Sequence, residues 1–88
     1  MGGGPEMALP KDGDLSEETR ITFGKNCKAA RIKARLSQGQ LAALIRFPQS
    51  TLSRIEAGRV NMTLQSMVTI AQALQVDLTK LIGKSTPK

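Results

Sequence analysis

Eighty-eight residues with 13 Lys and Arg against 7 Asp and Glu, two Phe and no Trp or Tyr describe one small, basic, mostly aliphatic domain. With no His, no Tyr and a single Cys, the usual acid–base, nucleophile and metal-ligand sets are missing, so no enzyme, metal site or cofactor is expected. No apolar run approaches the ~20 residues that span a bilayer. The lone Cys27 cannot close an internal disulfide, so a cytoplasmic location is the expectation.

Residues 1–20 read as a flexible acidic leader. Gly2-Gly3-Gly4-Pro5, Pro10 and Asp12-Gly13-Asp14 break regular structure, and Glu6, Asp12, Asp14, Glu17 and Glu18 face two bases, Lys11 and Arg20, for a net of −3. Residues 21–88 carry eleven bases against Glu56 and Asp77, a net of +9, so the formal +6 understates how basic the remainder is. Residues 21–83 are read as the folded domain and 84–88 as a tail. Such a domain attracts polyanions. An inert solvated leader is the simpler reading of residues 1–16, and a leader that covers the basic face is the alternative.

The first helix is predicted from about Thr22 to Arg35, where Phe23, Cys27, Ala30 and Ala34 make a narrow apolar stripe and Lys25, Lys28 and Arg35 lie off it. In that stripe Cys27 is a small core residue. Ser37 with Gln40 has the capping-box pattern, and Leu41, Leu44 and Ile45 follow at helical spacing, which predicts a short second helix burying one face. Ala42 is small where a neighbouring helix crosses. A tight turn at Arg46-Phe47-Pro48 leads to a third helix over about 48–57, with Pro48 suited to a helix start. Its Leu52 and Ile55 point inward, and Gly58 stops it. At about 100° per residue, Ser50, Ser53, Arg54 and Ala57 fall opposite that apolar pair, with Gln49 on the shoulder. A fourth helix begins after Thr63 as N-cap and turns Leu64, Met67, Val68, Ile70, Ala71 and Leu74 inward. Asp77 caps a short fifth helix with Leu78, Leu81 and Ile82, ended by Gly83. With no strand signal and no repeat, the fold class is all-α, a compact five-helix bundle.

Two short helices joined by a tight turn, the second with Gln, Ser, Ser and Arg on its outer face, suit a DNA groove. Arg54 can fork two hydrogen bonds onto guanine and Gln49 can pair bidentately with adenine. Single-stranded nucleic acid usually calls for exposed stacking aromatics, and neither Phe23 nor Phe47 reads as one, which favours the duplex. The ordered series Ser37-Gln38-x-x-Leu41-Ala42, Ser50-Thr51-Leu52-Ser53-Arg54-Ile55-Glu56-x-Gly58, Asn61-x-Thr63-Leu64 and Ile70-Ala71-Gln72-Ala73-Leu74-x-Val76 resembles the phage-repressor/Cro-type (XRE-like) helix-turn-helix family. The likeness runs from about Phe23 to Ile82 and implies a lambda-repressor-like DNA-binding domain that inserts its third helix in the major groove. The chain departs from the family pattern at Arg46, where Gly is usual and a positive φ is costly for a side chain, and at Pro48, where Ser or Thr is common.

The resemblance implies base contacts from Gln49, Ser50 and Arg54, and Ser53 faces the same way. It implies that Gln38 grips the phosphate backbone and can also buttress the third helix. Arg59 and Asn61 in the following loop, Arg46 in the turn and Thr51 nearer the core complete the expected backbone contacts. It also suggests that Glu56 pairs with Arg31 in a structural salt bridge. The function expected is a sequence-specific regulator of transcription, a dimeric repressor or autoregulator, since no second domain for sensing a ligand is evident. The dimer surface is placed on Val76, Leu78, Leu81 and Ile82, which leaves the second and third helices free. The alternative is an antitoxin-like module that binds a protein partner, a toxin, and regulates its own synthesis through DNA.

Overall fold

The computed structural model describes residues 15–83; the expectations for residues 1–14 and for the 84–88 tail lie outside them. Five helices and no strand occur among the described residues: α1 (Glu17–Lys33), α2 (Gln38–Ile45), α3 (Gln49–Glu56), α4 (Leu64–Leu74) and α5 (Leu78–Ile82). None of them is long and apolar enough to cross a membrane.

Helix α1 starts earlier than the expected Thr22. Ser16, in extended backbone, accepts the Thr19 N–H with its hydroxyl, and Glu17 and Glu18 occupy the first turn, where negative charge offsets the helix dipole. The leader therefore gives up residues 17–20 to the folded domain, and two of its five acids are helix-start residues. The start is fastened further on: the Leu15 N–H donates to Asn61 Oδ1 at 2.7 Å, and Arg20 donates to the carbonyls of Leu15 (2.8 Å) and Gly58 (3.4 Å). The buried face of α1 is Phe23, Gly24, Cys27 and Arg31. Ala30 is half-buried, and Ala34, expected inward, is exposed because the helix ends at Lys33 and Ala34 is its C-cap.

Gly24 allows α1 to lie directly on the end of α3. A Cβ there would sit 2.5 Å from the Ile55 carbonyl oxygen and 2.6 Å from that of Glu56. Both are backbone atoms, so the helices would have to part. Gly24→Ala is expected to lower stability by about 1–3 kcal/mol as an overpacking change, despite the better helix propensity of Ala. An unchanged urea midpoint would show that the contact yields freely.

Helix α2 opens on the reciprocal Ser37–Gln40 capping box: Ser37 Oγ accepts the Gln40 N–H at 3.0 Å and Gln40 Oε1 accepts the Ser37 N–H at 2.8 Å. Leu41, Ala42 and Ile45 are buried, but Leu44 is 60% exposed. The expected inward position of Leu44 fails because it lies about 200° around the helix from Ala42, and Ala42 is on the core side. The C-cap Arg46 takes a left-handed conformation with φ 63, and Phe47 donates its N–H back to the Ala42 carbonyl, which closes the turn tightly. Pro48 then stands as N-cap of α3 without a side-chain bond, its carbonyl accepting from Thr51 and Leu52. After α3, Gly58 turns the chain at φ 74.

Thr63 Oγ1 accepts the Ser66 N–H and caps α4. Met67, Ile70, Ala71 and Leu74 are buried and Val68 is half-buried, whereas Leu64, expected inward, is 64% exposed. It is the first residue of α4 and has no preceding turn to pack under. Asp77 occupies the N-cap of α5 but makes no side-chain cap bond. At the other end, the Asn26 amide on α1 donates to the carbonyls of Leu81 and Gly83, both at 2.9 Å, satisfying acceptors that a helix end leaves open. Leu81 is buried to 1% and belongs to the core with Phe23, Leu41, Leu52, Ile55, Ile70 and Cys27. Its expected place on a dimer surface is therefore corrected, since its side chain is spent within the bundle.

Candidate nucleic-acid interface

Helix α3 divides cleanly. Leu52 and Ile55 are buried, while Gln49, Ser50, Ser53, Arg54 and Ala57 are exposed and Thr51 is half-buried at the margin. Gln49 Oε1 lies 3.3 Å from where a Gly39 Cβ would stand, so the first side chain of α3 rests against the first turn of α2. Sequence reading passed over Gly39, because its use depends on the packing of one helix on another.

Beneath the exposed face, Glu56 of α3 gathers bonds from both α1 and α2. Arg31 of α1 meets it with two hydrogen bonds, Nε to Oε2 at 2.7 Å and Nη2 to Oε1 at 3.1 Å. Gln38 of α2 donates Nε2 to Oε1 at 3.0 Å, and the Cys27 thiol approaches Oε2 at 3.8 Å. Arg31 also donates Nη1 to the Leu36 carbonyl at 2.8 Å. Its bonds to Glu56 raise the Arg31 pKa above the ordinary value. Burial, helped by the Glu56 charge, pushes the Cys27 thiol up to about 12, so it stays neutral and serves as packing. The Gln38 amide nitrogen buttresses α3 through this bond.

The remaining expected backbone contacts separate. Arg46 and Arg59 are exposed, and neither side chain has a hydrogen bond or ion pair among the described residues. Asn61 is also exposed, and its Oδ1 accepts the Leu15 N–H at 2.7 Å, so it has a part inside the fold as well. Glu56 is the one acid between Thr19 and Val76, and Arg31 neutralises it, so the α2–α3 side carries no free negative charge. A face of this kind can donate hydrogen bonds to base edges from Gln49 and Arg54 and meet phosphates with its flanking arginines.

The sequence pattern of the helix-turn-helix family matches residues 28–81, from within α1 to within α5. The chain belongs to the helix-turn-helix family. An immunity repressor protein of Bacillus phage phi105 is 33% identical over 66 residues, 75% of this chain and 46% of that repressor, so the chain spans just under half the length of this relative. The restriction-modification controller protein C.AhdI from Aeromonas hydrophila has a similar structure, with a TM-score of 0.66 and 30% identity over 69% of this chain and 92% of that one. Hydroxypropylphosphonic acid epoxidase from S. wedmorenis shares the fold at a TM-score of 0.73 and 22% identity, over 76% of this chain and 36% of its own. The same helices thus occur within an enzyme, and the fold alone does not set the function. In this helix-turn-helix domain the residues exposed on α3 carry that argument.

Proposed function

We propose that this chain is a sequence-specific, duplex-DNA-binding regulator of transcription that lays α3 in the major groove. The observation that carries the reading is the outward set Gln49, Ser50, Ser53 and Arg54 on a helix whose other side is locked by Leu52, Ile55 and Glu56. Arg54 reads guanine and Gln49 adenine, the two serines lie close to the base edges, and Arg46, Thr51 and Arg59 meet the backbone. One module reads few base pairs, so the protein works as a dimer, repressing or autoregulating. Its α5 side offers Val76 and Leu78, half-buried, and Ile82, 40% exposed, as the dimer surface. Likeness to a phage repressor and to a controller protein supports a regulatory role.

Selection from a randomised duplex pool at near-physiological salt tests this. A two-fold symmetric site with half-sites about 34 Å apart is the expected product. A flat pool with salt-sensitive binding alone would remove the specific-regulator reading. On the selected site, Arg54→Ala should cost about 1–3 kcal/mol and relax preference at one or two base pairs, whereas Arg59→Ala should weaken all sequences alike. Equal weakening of every sequence by Arg54→Ala would make Arg54 a phosphate contact instead.

A further inference from the structure

Three residues other than glycine hold a positive φ among the described residues: Arg35 (63), Arg46 (63) and Gln75 (59). Two are arginines, and they bracket α2, Arg35 in the turn before it and Arg46 in the turn after it. A side chain at such a φ is strained relative to glycine, the residue that takes this conformation without steric cost. In both turns the strain is borne by a long cationic side chain. The fold makes no use of either guanidinium: both residues are exposed, and neither side chain has a hydrogen bond or ion pair among the described residues. Arg31 shows the contrast. It lies one helical turn earlier, and its guanidinium is fully engaged by Glu56 and Leu36.

Position gives the unused cation a partner. Arg35 comes two residues before Ser37, the N-cap of α2, and the first turn of that helix lies against Gln49, the first residue of α3. The α1–α2 turn therefore borders the edge of the face that reads the groove, with no acid near it in sequence. We infer that Arg35 is a further DNA-backbone contact, its guanidinium fork engaging a phosphate beside the groove and widening the footprint across the α1–α2 turn. The inference rests on the DNA-binding reading above. A guanidinium matches phosphate oxygens bidentately, and the contact is blind to base sequence. The left-handed backbone at Arg35 itself closes α1, the Leu36 N–H donating to the Arg31 carbonyl at 3.1 Å and the Arg35 N–H to that of Ile32 at 2.9 Å, and it leaves the side chain outside the fold.

The test compares wild-type protein with Arg35→Gly, Arg35→Asn and Arg35→Lys on the selected duplex and on an unrelated one, over a salt series, with thermal melts alongside. Arg35→Gly and Arg35→Asn suit the positive φ and should melt no lower than wild type. Both should bind the two duplexes more weakly, with the slope of log K against log salt shallower by about 0.9 per bound chain. Arg35→Lys keeps the charge and should keep most of that slope. Unchanged affinity and slope in both neutral variants, or a loss confined to the selected duplex, would overturn the assignment. If wild-type protein itself shows no salt-sensitive duplex binding, the DNA-binding reading fails and takes this one with it; a binding wild type with indifferent Arg35 variants removes Arg35 alone.

Discussion

Glu56→Ala is expected to lower the melting temperature by roughly 12–24 °C, the equivalent of about 3 kcal/mol in a domain of this size. The carboxylate accepts two bonds from Arg31 and one from Gln38, and it is nearly enclosed, with 3% of the side chain exposed. Removing it leaves a guanidinium that is 10% exposed with one protein acceptor, the Leu36 carbonyl. An unpaired buried charge costs about 3–5 kcal/mol, and that surviving bond puts the value at the lower end. Glu56→Gln keeps one acceptor oxygen, which Arg31 Nη2 and Gln38 can share, but sets an N–H against Arg31 Nε and loses the charge, so it should fall between. The double variant Arg31→Ala/Glu56→Ala should cost less than the sum of its singles, because the second truncation removes the charge that the first one stranded. Loss of DNA binding should follow the loss of folded protein. An unchanged melting temperature with abolished binding would place Glu56 at the interface instead of under it.

Much of the site was legible because it rests on local chemistry. The Ser37–Gln40 box, the Thr63 cap and the outward set on α3 are all spaced within one or two helical turns, and a sequence displays such spacing directly. The start of α1 was also written locally, as Ser16 followed by Glu17 and Glu18. Net charge and helix-start chemistry use the same residues, so an acidic stretch and a capped helix start look alike in a sequence. Leu44 and Leu64 show a different limit. In a helix of eight residues, or at the first residue of a longer one, periodicity does not decide which of several apolar residues the neighbours will cover. Gly24, Gly39 and Asn26 were out of reach for a third reason. Each matters through an atom of another element: the Ile55 carbonyl, the Gln49 side chain, or the carbonyls that end α5. The Arg31–Glu56 pairing joins residues 25 apart and came from family resemblance, since neither residue signals the other locally. The positive φ of Arg35 leaves no mark in a sequence that spells the turn without glycine or asparagine.

Leu52→Ala is the second change expected to remove much of the stability, about 2–5 kcal/mol as a truncation in a packed core. Leu52 is fully buried, and α3 has only eight residues, so Leu52 and Ile55 supply nearly all of its apolar anchorage. A domain this small holds roughly 3–10 kcal/mol in total, so the variant sits near the edge of folding at room temperature. Leu52→Met keeps the volume and should cost less than about 1.5 kcal/mol, which separates loss of packing from any special need for leucine. Urea titration followed by helical circular dichroism measures both. The pair of variants also separates two ways of losing DNA recognition. Arg54→Ala should leave the melt unchanged and erase a base preference. Leu52→Ala should lower the melt and, where the protein stays folded, leave the order of preferred bases unchanged, since no reading side chain has been altered. A melt for Leu52→Ala within a few degrees of wild type would mean that the Glu56 network alone seats α3. Leu52 and Glu56 stand one turn apart on the buried side, and Ser50, Ser53, Arg54 and Ala57 project from the other. The seating of α3, and with it the aim of the side chains proposed to read DNA, therefore rests on apolar anchors, Leu52 and Ile55, and an ionic one, Glu56.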